Sequence, residues 1–214
     1  MQLLSVNLGQ PRELQIGKTV QRTGIFKETI PHPVQVNSLG LTGDFIASKK
    51  HHGGPDQAIY IYTQPDYDWW SEQLGRPLAP GSFGDNLTIS ELLSAPVAAG
   101  DRLTIGSVIF EATSPRIPCS TLATRMGNPA FVKRFRQAER PGIYCRVIQT
   151  GTIEAGQAVT YTPYPGDRVT MLEQFLDYYE PLTSEAGVRR MLAAPIAIRT
   201  RSHQKERLTQ LLEK

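Results

Sequence analysis

Between Ser107 and Ser120 the chain reads SVIFEATSPRIPCS, and this stretch leaves the backbone few options. Val108, Phe110 and Ala112 alternate with Ile109, Glu111 and Thr113, the period-two pattern of a strand with unlike faces, and Pro115 and Pro118 then forbid any continuation of the ladder. Upstream, Leu103 to Ile105 is joined to it by Gly106-Ser107, a two-residue turn with glycine first, as a type II′ hairpin prefers. The pattern predicts a hairpin whose second strand delivers Cys119 on a stiff loop. A thiol so held suits a metal ligand or a nucleophile; the alternative is a buried cysteine that only packs. From Arg116 to Arg146 seven Arg or Lys residues stand against one acid, Glu139, and such charge favours the thiolate. Cys145, in GIYCRVI, shares a strand face with Ile143 and Val147 and is predicted to be core. The N-terminus, MQLLSVNLGQPRELQ, lacks the basic start and apolar core of a signal peptide, so both cysteines read as reduced thiols of a cytoplasmic protein.

The rest of the first three quarters of the chain is strand and turn. Leu4, Val6 and Leu8 alternate, Gln15 to Val20 and Gly24 to Thr29 are β-biased, Val34 to Ser38 and Ala58 to Tyr62 alternate again, and 18 Gly and 16 Pro supply the turns. Short strands at this spacing predict a closed or nearly closed β-barrel rather than a parallel α/β sheet. Two helices interrupt it. One runs from Pro65 to Leu74, and one from Asn128 to Ala138, whose outer face carries Lys133, Arg134 and Arg136. From about residue 164 the texture becomes helical: a Thr170–Glu173 capping box opens the first segment, and Ser184 to Ala194 and Ser202 to Leu212 follow. The expected organisation is therefore a mainly β barrel over residues 1–163 with a three-helix unit over 164–214. Eight basic and seven acidic groups in residues 165–214 are too balanced for a DNA reader, and no apolar run approaches the roughly 18 residues of a membrane span. Neither nucleic acid nor membrane is an expected partner.

Two further stretches can carry chemistry. In KKHHGGPDQA, from Lys49, two Lys and two His precede Gly53-Gly54, so backbone N–H groups flanked by cations offer an anion cradle; a plain polar turn is the competing reading. His51 and His52 are adjacent and point apart on an extended chain, which makes a poor zinc site. FGDNL, from Phe83, places Asp85 and Asn86 to hydrogen-bond a ligand or to close an Asx turn. No GxSxG, P-loop or dinucleotide fingerprint is present.

TGIFK (23–27), LGLTGD (39–44), HHGGPDQA (51–58), FGDNL (83–87), GDRLTIG (100–106) and PRIPC (115–119), in that order, resemble the MOSC family, named for the C-terminal domain of molybdenum cofactor sulfurases. The helical tail is similar to the extension of its bacterial stand-alone, YiiM-like branch. The resemblance implies a β-barrel that holds a molybdenum cofactor (molybdopterin), with Cys119 as metal ligand. It places Lys27, Lys49, His52, Gly53, Gly54 and Arg116 around the cofactor, and Asp85 and Asn86 beside the metal in a catalytic role. It further implies an oxidoreductase that takes N-hydroxylated compounds, of the hydroxylaminopurine kind, to the amine, with a separate flavoprotein or iron–sulfur protein as electron donor. The doubled His51-His52 departs from the family's single His before Gly-Gly. Rival functions are a sulfur carrier with a Cys119 persulfide, working beside a pyridoxal-phosphate desulfurase, and a non-catalytic molybdopterin-binding module.

Overall fold

The structure is a computed structural model that describes residues 1–47 and 53–213. In chain order the elements are β1 (Leu3–Gly9), β2 (Arg12–Ile16), β3 (Thr19–Thr23), β4 (Lys27–Thr29), β5 (Val34–Asn37), β6 (Gly40–Leu41), β7 (Ile59–Thr63), α1 (Gln64–Leu74), β8 (Leu87–Ile89), β9 (Arg102–Ile105) and β10 (Val108–Ser114). They continue as α2 (Ser120–Arg125), α3 (Phe131–Ala138), β11 (Ile143–Gln149), β12 (Gly151–Ile153), β13 (Val159–Thr162), α4 (Met171–Tyr179), α5 (Glu185–Ala193) and α6 (Ile198–Leu212).

The large sheet runs β13-β9-β10-β11-β7-β8-β1-β4, and it closes on itself. Gln2 pairs with Ala158, Leu3 donates to the Gln157 carbonyl at 2.9 Å, and Val159 donates to that of Met1 at 2.9 Å, so the start of β1 seals the edge of β13. Closure covers the start of the β13 edge, and β4 stands at the other end of the order. The expected hairpin is present: Ile105 faces Val108 across Gly106, which takes the positive φ, +57°, that this turn requires. β5, β6 and β12 form a small sheet that lays Val34, Val36, Leu41 and Ile153 against the barrel core.

Alternation explains β7. Ile59 and Ile61 point into the barrel, while Tyr60 and Tyr62 point outward and are roofed by a second, aromatic core of Tyr67, Trp70, Phe83, Phe131, Phe135 and Phe175. Both faces of this strand are buried, and Trp70 donates to the Tyr62 hydroxyl at 2.8 Å. In β1 the alternation fails at one place: Leu3, Val6 and Leu8 are core but Leu4 is 37% exposed, because a register shift between Leu3 and Ser5 changes the phase of the strand. The helix expected from Asn128 begins only at Phe131; the Asn128 side chain accepts from Ala130 N–H at 2.9 Å and closes a turn instead. The Thr170–Glu173 capping box forms as expected. α6 begins four residues before Ser202.

The helical segment is stitched to the barrel. Met171 donates to the Val97 carbonyl at 2.6 Å and Ala99 to that of Val169 at 2.9 Å, while Met171, Met191, Ala194 and Ile196 join the barrel core. Arg168 pairs with wholly buried Asp101 at 2.8 Å, and Ile198 N–H donates to Asp56 at 2.6 Å. Among the described residues no helix is long and apolar enough to cross a membrane.

Candidate functional site

A cavity of about 910 Å³ opens between the strand ends and the helical tail. It lies near the upper end of the range for ligand pockets, roughly 300–1,000 Å³. β10 ends at its wall. From Ser114 the chain enters the two-proline loop, whose Arg116 N–H donates to the Pro141 carbonyl at 3.2 Å, and Cys119 follows, half-buried, at the entry to α2. Cys119 and Arg116 both line the cavity.

Arg116 is 6% exposed, with its guanidinium carbon 5.1 Å from the Tyr60 ring centroid. Its Nε has no hydrogen-bond partner, and among the described residues no carboxylate lies within 4 Å of it. Burial opposes its charge, but Tyr144, Tyr60, Cys119 and Asp85 around it hold its pKa above the ordinary arginine value. The attraction between this guanidinium and a Cys119 thiolate is mutual, so one wall of the cavity pairs a fixed cation with a soft sulfur donor.

Lys27 also lines the cavity, but its charge is met inside the wall: Nζ lies 2.6 and 2.7 Å from the two oxygens of Asp44. Burial pulls the Lys27 pKa down while Asp44 works against that shift. Asp44 further accepts from Gly9 N–H at 2.8 Å and from the Asn86 amide at 2.9 Å, and the Asn86 carbonyl accepts from Tyr60 N–H at 3.1 Å. Lys27 and Asn86 thus border the cavity as braced wall groups.

The structure brings Lys27, Gly53, Asn86, Arg116 and Cys119 to one cavity and leaves two described candidates off it. Asp85 is wholly buried and turned toward the aromatic core; its carboxylate accepts from the Tyr67 hydroxyl at 2.6 Å, the Thr88 hydroxyl at 2.9 Å and Gly81 N–H at 3.3 Å. Asp85, expected beside a metal, thus stands off the cavity with its carboxylate bonded to the wall behind it. Gly54 does not border the cavity, although it shares with Gly53 a positive φ, +83° against +79°. Lys49 and His52, with His51, lie outside the described residues.

The sequence reading missed the far wall. Gln174, Asp177 and Tyr178 of α4 and Arg199, His203 and Arg207 of α6 line the same cavity. A signal existed: Arg199, His203 and Arg207 recur every four residues, a polar stripe on one face of a helix. Asp177 on that wall is held by Arg207 at 2.7 Å. Conversely, the basic face of α3 is partly occupied within the chain: Arg134 donates to the Gln73 carbonyl at 3.1 Å, and Arg136 pairs with Glu180 at 3.0 Å and lies over Tyr179.

Comparison with known proteins bears on this site. The model for the MOSC domain matches residues 48–160. An uncharacterised protein of Bacillus subtilis, YflK, is 36% identical over 155 residues, 72% of this chain and 70% of that protein. A Gibberella moniliformis protein named as a reductase is 32% identical over 169 residues, covering 76% of this chain but only 30% of the fungal protein. The crystal structure of YiiM from Geobacillus stearothermophilus superposes with a TM-score of 0.79 at 28% identity, covering 97% of this chain and 98% of that one.

Proposed function

The chain belongs to the MOSC domain family, and from that membership we propose that it is a molybdenum-cofactor-dependent reductase that converts N-hydroxylated compounds to amines, with the Cys119 sulfur as metal ligand. The observation that carries the reading is the pairing on one cavity wall of Cys119 with Arg116, a buried cation lacking a carboxylate partner among the described residues. A thiolate suits a transition metal, and an arginine with an unpartnered Nε suits an anionic phosphate or oxo group. Among the described residues no three His, Cys, Asp or Glu side chains converge as a metal set, whereas cations, amides and one thiol do converge. That donor set fits a metal carried in on an anionic organic ligand. A Cys119 persulfide carrier calls for an exposed, mobile thiol, and the half-buried position on a two-proline loop weighs against it.

When bound, the cofactor supplies two electrons to the N–O bond; two protons are taken up and water leaves with the amine. The residues of the chain do the holding. Arg116 binds the anionic portion, the Lys27–Asp44–Asn86 network keeps that wall rigid, and Gly53 lets backbone approach the ligand closely. Electrons come from a separate flavoprotein or iron–sulfur protein.

The two glycines separate cradle from turn. Gly53→Ala and Gly54→Ala each force a side chain into positive φ, Gly54 into the region near ψ 173° that only glycine readily adopts, at a cost of about 1–3 kcal/mol each. A Cβ on Gly53 also meets Ile46 at 3.1 Å, while one on Gly54 meets open space. Similar losses in thermal melts are expected, but cofactor retention should fall only in the Gly53 variant; equal retention in both would remove Gly53 from the site.

The reading as a whole is tested on protein purified from cells that make the cofactor. Stoichiometric molybdenum by mass spectrometry is expected, with anaerobic conversion of 6-hydroxylaminopurine to adenine by reduced methyl viologen. Protein without molybdenum but with labile sulfane sulfur on Cys119 would replace the reductase with the carrier.

A further inference from the structure

Gln174 stands on α4 at the cavity wall, 5% exposed, and neither the nitrogen nor the oxygen of its side-chain amide has a hydrogen-bond partner. An amide can make up to four hydrogen bonds, and burying one with none is unfavourable enough to be rare. The neighbouring case shows what this fold does with a buried amide that has a structural role. Gln204, 1% exposed, donates to Asp177 at 2.5 Å and accepts from Arg207 at 3.3 Å. Asp177 is likewise committed, to Arg207, Gln204 and Leu182 N–H. Gln174 is left with a donor and an acceptor side by side.

One turn further along the same helix, Tyr178 lines the same cavity and is 61% exposed, its ring set edge-on to Tyr179 at 5.1 Å. Residues four apart share a helix face. An amide that offers a donor beside an acceptor matches the edge of a nitrogen heterocycle that offers the reverse, as glutamine matches the N6/N7 edge of adenine, and an aromatic ring offers such a heterocycle a stacking surface. Ser114, 5% exposed with a buried, unpartnered hydroxyl, adds another unsatisfied polar group on the barrel side of the cavity.

We propose that Gln174 and Tyr178 form a recognition site for a planar nitrogen heterocycle, Gln174 reading its edge and Tyr178 stacking on its face. The heterocycle has two sources, a purine-type substrate base or the pterin of the cofactor. Naming either rests on the reductase reading; the recognition chemistry does not.

The test needs neither metal nor turnover. Binding of adenine, purine and pterin to the purified chain is measured by equilibrium dialysis. The wild type is expected to prefer adenine over purine by about tenfold or more, and Gln174→Met should erase that preference. A preference for pterin over purine that is lost in the same variant would assign the site to the cofactor. Tyr178→Ala should weaken all three probes together, by about tenfold, because stacking is indifferent to the edge. Since the Gln174 amide has no partner to lose, Gln174→Met should melt no lower than the wild type; Gln174→Leu serves as a second variant if methionine packs badly. No preference in the wild type for either adenine or pterin over purine, or a preference that survives both variants, overturns the proposal. Adenine reading without reductase turnover would leave this site standing and remove the proposed reaction.

Discussion

Cys119→Ala is expected to abolish molybdenum retention and reductase turnover while leaving the fold nearly as stable as before. The thiol is half-buried at the end of a loop fixed by two prolines and by the Arg116–Pro141 hydrogen bond, so the loop keeps its course without the sulfur. The cavity, by contrast, loses the soft donor that faces it. Cys145→Ala should do the opposite. Cys145 is fully buried among barrel hydrophobes, where burial and nearby Glu111 raise its pKa and keep it a thiol. Its truncation should cost about 1 kcal/mol through the small cavity it leaves, lowering the melting temperature by roughly 2–4 °C, with metal content unchanged. Metal analysis and melts on both variants decide it. Molybdenum retained in the Cys119 variant would remove the ligand assignment, and metal lost in the Cys145 variant would show that barrel packing controls the site.

How much of this was legible in the sequence depends on how local the cause was. The hairpin ending in the Cys119 loop was legible because alternation, a glycine turn and two prolines act within a dozen residues. The capping box at Thr170 was legible for the same reason. Leu4 misled because a register shift is decided by the partner strand, β8, some 85 residues away. α2 went unseen because STLATR is too short for a 3.6-residue period to register. The candidate site was half legible: motifs brought Lys27, Asn86, Arg116 and Cys119 to one cavity, but the wall made by α4 and α6 depends on how the tail docks, which no local pattern states. Asp85 shows the limit of motif reading, since FGDNL says that a carboxylate follows the turn but not which way it faces.

That direction leads to the second large effect. Asp85→Ala should lower stability by about 3–4 kcal/mol, because it strands several buried donors at once: the Tyr67 and Thr88 hydroxyls and Gly81 N–H. For a chain of this size the melting temperature should fall by roughly 10 °C. Asp85→Asn keeps the shape and one good acceptor, and Tyr67 can turn its hydroxyl to accept from the new amide, so a loss of about 1 kcal/mol is expected at neutral pH. The two variants also differ from the wild type in acid. Burial raises the Asp85 pKa above its ordinary 3.8 even though its hydrogen-bond donors pull the other way. Between 3.8 and that raised value the folded protein therefore holds a proton that the unfolded chain has released. The stability contributed by this group is full below 3.8 and is lost as pH rises through the folded pKa. Asp85→Asn cannot titrate, so the stability gap between it and the wild type should widen as the pH is lowered into that window. Denaturant titrations at several acid pH values measure the gap directly. An Asp85→Ala protein that melts like the wild type yet has lost turnover would return Asp85 to the reaction and overturn its assignment as the bolt that holds α1 and the loop before β8 to the barrel.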